Sequence, residues 1–306
     1  MIAVSVCTYK RPKDLARLIE SFLTIETTEA IEFVVVDNDG NDPEVERLVA
    51  SLAERSGRPA HYTVERQPGI SAARNAAFNK ARGIKAELVA MLDDDEWVTP
   101  NWLNALLATR AATGAQVVGG PVHPVFSEAR RHMAKNATLW AVEQDFLHGK
   151  PFVSCTCNFL IDLKVVEPLG DEPFDEAYGL TGGGDAVFFR KLAAMDVPMA
   201  WSPDAYLHES MPDSRANLKW LRQRRYRIGN VAFRWEHDVP AKGDLPPTLK
   251  TLAACARLCV FPLVVKTRGP LLLAWLLEFD KVRGRLAAQF GSKYAEYRRE
   301  PVKACR

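Results

Sequence analysis

A chain of 306 residues, 47% hydrophobic and 25% charged, carries enough apolar material for one large domain with an appendage or for two domains, and excludes a disordered or low-complexity protein. Its formal charge of +2 conceals an asymmetry, since residues 250–306 hold 12 Lys/Arg against 4 Asp/Glu while residues 1–249 hold 28 against 34. An acidic body with a basic, leucine-rich tail points to an anionic surface as the tail's partner, a membrane rather than nucleic acid.

In chain order, IAVSVC (2–7) is a short apolar run rich in β-branched residues, and Pro12 then opens a segment with Leu15, Leu18, Ile19 and Phe22 at helical spacing. A buried strand followed by a helix is the expectation. The pattern repeats: IEFVVVD (31–37) reads as a strand, Asp42-Pro43 as an N-cap with Pro at N1, and VERLVASLAE as a helix. HYTVER (61–66) is a third strand, Gly69 to Arg82 a helix, ELVAMLD (87–93) a fourth strand, Thr99 to Thr113 a helix with Thr99 as its N-cap, and AQVVGG (115–120) a fifth strand. Such alternation predicts a parallel sheet covered on both faces, with ligands bound beyond the carboxyl ends of the strands. Asp37 and Asp39, and then Asp93 to Asp95, stand at those ends.

Beyond residue 120 the expected elements are a strand at CNFLID (157–162), a helix from Asp185 to Met195 and a helical stretch over 214–235 with seven Lys/Arg and no acid. PAKGDLPP (240–247) marks a boundary, giving domains 1–240 and 241–306. In the tail, LCVFPLVV and LLLAWLL are interrupted by Arg257, Pro262, Lys266, Arg268, Gly269 and Pro270. Neither run reaches the roughly 20 apolar residues of a bilayer span. Segments lying in a membrane interface are expected, the alternative being a pair of helices packed on the body. Cys7, Cys155, Cys157, Cys255, Cys259 and Cys305 show neither CxxC pairs nor zinc-like spacing, and the N-terminus lacks a secretory pattern. A cytosolic chain with reduced thiols follows as the expectation.

The stretch LVAMLDDDEWVTPNWL (88–103) drives four acids together at a strand end. Buried carboxylates cost several kcal/mol per ion, roughly, unless a cation or hydrogen bonds compensate them. A hard divalent ion, Mg²⁺ or Mn²⁺, suits such oxygen ligands and shares its coordination with phosphates. The alternative is that the acids face water and favour the start of the next helix.

Taken in order, VSVCTYKRP, VVVDNDGND, QPGISAARNAA, MLDDDEWVTPNWL, CNFLI and GGGDAVFFRKL resemble the inverting glycosyltransferases of family 2, of the exopolysaccharide-biosynthesis type, over residues 1–235. The resemblance implies a GT-A (nucleotide-diphospho-sugar transferase) fold, α/β with a mostly parallel central sheet and helices on both faces, followed here by a helical membrane-associating extension. It implies transfer of a sugar from a nucleotide-sugar donor, with a leaning to uridine, to a hydroxyl of a saccharide linked to polyprenyl diphosphate. It also implies Mn²⁺ or Mg²⁺, and peripheral attachment to the cytoplasmic face of the inner membrane.

Residue by residue, the resemblance places Thr8, Tyr9 and Arg11 in the nucleotide pocket, Asp37 and Asp39 at the base and ribose, and Arg74 at the nucleotide. Asp93 falls on the ribose side, with Asp94 among the donor-binding residues, and Asp95 on the metal. His208 of AYLHES would face the diphosphate or metal. Asp185 would be the general base, the alternative being that it caps its helix. Arg222 and Arg225, in a run with Arg224 and Arg227, would meet a diphosphate of the donor or of the lipid-linked acceptor. Where the family often has Glu-Asp this chain has Gly184-Asp185, which removes a second acid. The QxxRW signature is only approximated by Gln223 to Tyr226, which argues against a processive polymerase. Two rival functions are a nucleotidyltransferase, which would carry a glycine-rich loop where CTYKRP has no glycine, and a nucleotide-sugar-binding module without a base.

Overall fold

The computed structural model describes residues 1–264 and 270–294 apart from 39, 41 and 180, so Asp39, Lys266, Arg268 and Gly269 lie outside the described residues. Nearly every side chain of β1 (Ile2–Thr8) is buried, which a strand tolerates only when helices cover both faces. The coverage comes from the alternation that follows: α1 (Pro12–Phe22), β2 (Ile31–Asp37), α2 (Pro43–Ser56), β3 (Ala60–Val64), α3 (Ile70–Gly83), β4 (Leu88–Asp93), a short β5 (Glu96–Val98), α4 (Trp102–Thr113) and β6 (Val117–Gly119). The remainder adds β7 (Val122–Phe126), a hairpin of β8 (Asp145–Leu147) and β9 (Lys150–Phe152), β10 (Asn158–Asp162), α5 (Gly184–Ala194), β11 (Met199–Trp201) and β12 (Leu207–Met211). Three long helices close the described chain: α6 (Leu218–Asp238), α7 (Pro247–Val264) and α8 (Pro270–Gln289).

Seven strands form the main sheet in the order β11-β6-β10-β4-β1-β2-β3. β1 runs parallel to both neighbours, and its register sets Thr8 beside Asp37 and Cys7 beside Asp93. The carboxyl ends of three strands therefore align at one edge. β10 alone runs antiparallel, which brings its first residue, Asn158, to that edge beside Leu92. Asn158 is buried and pins three elements: it accepts from Trp102 Nε1 at 2.9 Å and donates to the carbonyls of Pro121 and Ala205 at 3.0 and 2.7 Å. One apolar core lies under α1 and α4, and the other joins Phe78 of α3 to Phe174, Phe188 and Phe189. A second sheet, β5-β12-β7, stands beside the ligand edge and pairs Glu209 with Glu96.

Two expectations about local structure need correction. Thr99 is not the N-cap of α4: the helix starts at Trp102 after Asn101, and the Thr99 carbonyl accepts from the Trp102 amide in the turn before it. The reason is that Glu96–Val98, instead of leading straight into the helix, pairs with β12 as a strand. The helix expected over 214–235 begins four residues later, with the Asn217 side chain accepting from the Trp220 amide as its cap.

The tail divides in two. α8 packs on α6, with Arg285 forking onto Glu236 at 3.2 and 2.7 Å and Asn230 donating to the Ser292 carbonyl at 2.8 Å. Leu221 and Leu277 share a small core with Trp140 and Met211. α7 leaves Leu249, Leu252 and Val260 exposed. Among the described residues, no helix is long and apolar enough to cross a membrane.

The segment joining α6 to α7 is tied by Asp244, which accepts from Arg190, from Lys250 Nζ at 2.8 Å and from the Ala241 amide at 3.0 Å. Burial alone would raise this carboxyl, but Lys250 and Arg190 hold it well below the usual range. A carboxyl depressed in the folded state adds stability above the unfolded pKa of about 3.9 and loses it as pH falls through the lower folded value. Asp244→Asn should therefore lower the denaturation midpoint at neutral pH, with the gap to wild type closing below about pH 4, as followed by denaturant titrations across pH.

Candidate active site

The four acids at the end of β4 and just after it avoid mutual repulsion by taking different partners. Glu96 is buried and folds back to accept from the Asp93 amide at 2.7 Å, with burial pushing its carboxyl well above the usual range. Asp94, 6% exposed, accepts from Thr8 Oγ1 at the end of β1 at 2.8 Å and from Arg11 Nη1, just before α1, at 3.1 Å. Burial, helped by Asp95, lifts its carboxyl to about 6 against the pull of Arg11. Asp95 has its carbonyl fixed by Arg17 at 3.0 Å and by the Ser210 amide at 2.9 Å. That anchoring aims its carboxylate into a cleft, where it meets Arg11 at 3.0 Å and Arg215 at 3.5 Å. Asp93 lies 3.7 Å from Arg74, and its carboxyl is raised by burial and then by Asp95 and Asp185, with Arg74 opposing.

The cleft so formed measures about 450 Å³, and Tyr9 is its exposed aromatic wall. Arg74, nearly buried, enters from α3 across the face of Phe174. The start of α3 is placed by Asn38, which donates to the Glu65 and Gln67 carbonyls at 3.0 and 2.7 Å and accepts from the Gly69 amide at 3.1 Å. Gly69 has φ of +129°, a conformation that L side chains rarely adopt, and a Cβ there would stand 3.5 Å from the Gly179 backbone. Across the cleft Glu209 faces Arg215 at 3.6 Å, and burial together with Asp95 raises its carboxyl to about 7.

Thr8, Tyr9, Arg11, Arg74, Asp93, Asp94 and Asp95 are thus brought together as the sequence implied. Asp37 is not in the lining: it is 1% exposed, and its Oδ2 accepts from the Asp42 amide and the Tyr62 hydroxyl, each at 2.8 Å. Its neighbour Asn38 lines the cleft instead. His208 likewise projects from the opposite side of β12 to Glu209, into a ring cluster with Trp97, His123 and Tyr206. Burial and His123 lower its pKa there. Arg222 pairs with Asp280 of α8 at 2.7 Å, and Arg225 is half-buried near Glu278; neither lines the cleft. Arg224 is the member of that run whose charge reaches Glu209.

Asp185 sits in the first turn of α5, beyond the cleft lining, but close enough for its charge to act on Asp93. It is not the N-cap, a place taken by Gly183 at φ +90°, where a Cβ would overlap Val231. Asn38, Glu209 and Arg215 were missed from sequence. Strand alternation says that only one of His208 and Glu209 can enter the cleft, and the resemblance pointed to the histidine.

Residues 3–170 match the family model described as glycosyl transferase family 2. The chain belongs to that family. It is 34% identical over 239 residues to the succinoglycan biosynthesis protein ExoM of Rhizobium meliloti (strain 1021), spanning 75% of this chain and 73% of that protein. It is 31% identical over 147 residues to a glucosyl-dolichyl phosphate glucuronosyltransferase of Haloferax volcanii, 47% of this chain and 45% of that one. Among solved structures it is similar to a mannosyltransferase of Pyrobaculum calidifontis in complex with GDP-Man and Mn²⁺, at TM-score 0.61 and 15% identity over 95% of this chain and 88% of that one. TarS residues 1–349 of S. aureus, in complex with UDP-GlcNAc, gives TM-score 0.51 and 16% identity over 96% and 93%. The sheet is thus a GT-A fold, and the family 2 chain is a glycosyltransferase.

Since Asn38 satisfies three backbone groups of the segment that opens α3, Asn38→Ala should destabilise the protein by about 1–3 kcal/mol through unpaired buried groups. Denaturant unfolding of the two proteins measures this.

Proposed function

We propose that this glycosyltransferase moves a sugar, with inversion, from a nucleotide diphosphate donor of the UDP-sugar class to a hydroxyl of a saccharide carried on a polyprenyl diphosphate, in surface or exopolysaccharide synthesis. The observation that carries the reading is the charge layout of the cleft. Three guanidinium groups, Arg11, Arg74 and Arg215, surround the carboxylates at the end of β4. A diphosphate offers oxygens to those same donors, and charge-assisted bonds of this kind are the strong ones. The likeness to ExoM supports a polysaccharide product. The nucleotide sugars held by the two solved neighbours, GDP-Man and UDP-GlcNAc, support a nucleotide diphosphate sugar as donor.

A divalent ion suits the donor set. Asp95 and Glu209 approach one guanidinium nitrogen of Arg215, at 3.5 and 3.6 Å, so both present oxygen to the same point. Among the described residues, no three or more His, Cys, Asp and Glu are grouped to hold an ion by themselves. Asp95 with Glu209 would hold Mg²⁺ or Mn²⁺ jointly with phosphate oxygens, the manner in which Mg²⁺ is usually bound. When bound, the ion supplies Lewis-acid stabilisation of the departing diphosphate.

Asp185 serves as general base, accepting the acceptor hydroxyl's proton opposite the leaving group. Its charge acts on Asp93 at the end of β4, which supports a place close to the reacting groups. Tyr9 offers a ring to the nucleotide, and Asn38 supplies the wall under it. The exposed Leu249, Leu252 and Val260 support peripheral attachment to the cytoplasmic face of the inner membrane, where a lipid-linked acceptor resides.

Excess chelator should abolish transfer of a labelled sugar, and Asp95→Ala should weaken donor binding and turnover together. Full activity in chelator would overturn the metal assignment. Asp185→Asn should keep nucleotide affinity, measured calorimetrically, while turnover falls on the order of 10² or more. A variant with near-normal turnover would remove Asp185 from the role of base. A screen of nucleotide sugars against lipid-linked saccharides tests donor and acceptor directly.

A further inference from the structure

Arg222, absent from the cleft, opens onto a second depression of about 490 Å³ between the first half of α6 and the middle of α8. Lys219, Arg222 and Arg283 supply its positive charge, with Tyr226 between them and Asp280 at the floor. The Asp280 side chain is 2% exposed and accepts from Arg222 at 2.7 Å and from Arg283 at 2.9 Å. One buried carboxylate therefore fixes two guanidinium groups at the mouth while cancelling only one of three positive charges. Glu278, the next acid on α8, acts on Arg225.

The chemistry changes along α8. Arg283 stands over Tyr226 and Phe279, 5.7 and 5.9 Å from their ring centroids. Phe279 precedes Arg283 by one helical turn, and Leu272 lies two turns before Phe279, both exposed. Exposed Leu218 forms the other lip. A fixed cationic mouth continued by an apolar line matches a ligand with an anionic head and an apolar tail.

We propose that the α6–α8 groove is a headgroup site for an anionic phospholipid. Lys219, Arg222 and Arg283 hold the lipid phosphate, and the acyl chains lie against Phe279 and Leu272. This rests on the peripheral-attachment reading and deepens it by assigning the attachment to one groove instead of to the net charge of the tail. A soluble phosphate would satisfy the cations but would leave the apolar line unused.

The test is co-sedimentation of the full-length protein, at low and constant ionic strength, with vesicles of equal parts phosphatidylglycerol and phosphatidylcholine or of phosphatidylcholine alone. Wild type should bind only the former. K219Q/R283Q should bind about thirtyfold more weakly, the conversion of about 1 kcal/mol per basic residue at an anionic surface. In that variant Arg222 keeps Asp280 paired, and Lys219→Gln alone, with an expected loss of about fivefold, covers the case of a double variant that melts early. The charge-matched R47Q/K85Q, exposed on α2 and after α3, should bind as wild type.

If K219Q/R283Q matches wild type on anionic vesicles, the groove assignment fails while attachment stands. If wild type ignores anionic vesicles, both fail. Displacement from vesicles by inorganic phosphate at constant ionic strength would make this a site for soluble phosphate and overturn the lipid assignment.

Discussion

The ligand edge depends on the pinning of Asp94 by Thr8 and Arg11. β1 and β4 lie side by side, and their ends would be forced apart by three consecutive carboxylates if each faced its neighbours unpaired. Thr8 donates to one oxygen of Asp94 and Arg11 to the other, so a single side chain ties the end of β1, the start of α1 and the turn after β4. With Asp94 consumed in this way and Glu96 folded onto the Asp93 amide, only Asp93 and Asp95 are left to serve a ligand. Two of the four acids thus brace the turn, and the other two face arginines of the cleft.

The arginines divide in a comparable manner. Arg11, Arg74 and Arg215 already neutralise acids in the cleft, so the diphosphate binding proposed above would be an exchange of ionic partners rather than an addition of charge to an empty space. Such an exchange would keep the net electrostatic cost small and would fix where the phosphates go, because guanidinium forks are directional. Arg222, Arg285 and Arg190 lie elsewhere, paired with Asp280, Glu236 and Asp244. Chemically identical side chains separate into those that line the cleft and those that join elements elsewhere, according to where the fold places them.

The alternation of strands and helices was legible because period-2 and period-3.6 patterns are local, and the acids at strand ends were legible because a parallel sheet aligns those ends. What escaped the sequence was decided by single-residue choices of face. Asp37 and Asn38 are adjacent, and the polarity of a carboxylate made Asp37 the natural candidate; the structure buries it under Tyr62 and the Asp42 amide and turns Asn38 to the cleft. His208 and Glu209 repeat the lesson on β12, where pairing with β5 and β7 fixes which side faces in. Thr99 looked like a cap because nothing local announced that Glu96–Val98 would find a partner more than a hundred residues away. Register is set by long-range pairing, and a one-residue change in it exchanges every inward side chain for an outward one.

The crossing of α6 and α8 is close enough that a Cβ on Gly229 would overlap the Lys281 carbonyl and one on Gly284 the Tyr226 carbonyl. Two backbones meet there without side chains between them, and Glu236 and Asn230 complete their bonding only with Arg285 and Ser292. α6 ends at Asp238 and α8 begins at Pro270, so α6 emerges from the ribosome well before its partner does. Chains fold from the N-terminus as they are made, which leaves the α6 face, with its buried carboxylate, unfinished until α8 arrives. Maturation of the fold is thereby tied to the synthesis of α8, and a nascent chain stalled in α7 would hold a formed sheet beside an exposed, half-satisfied helix.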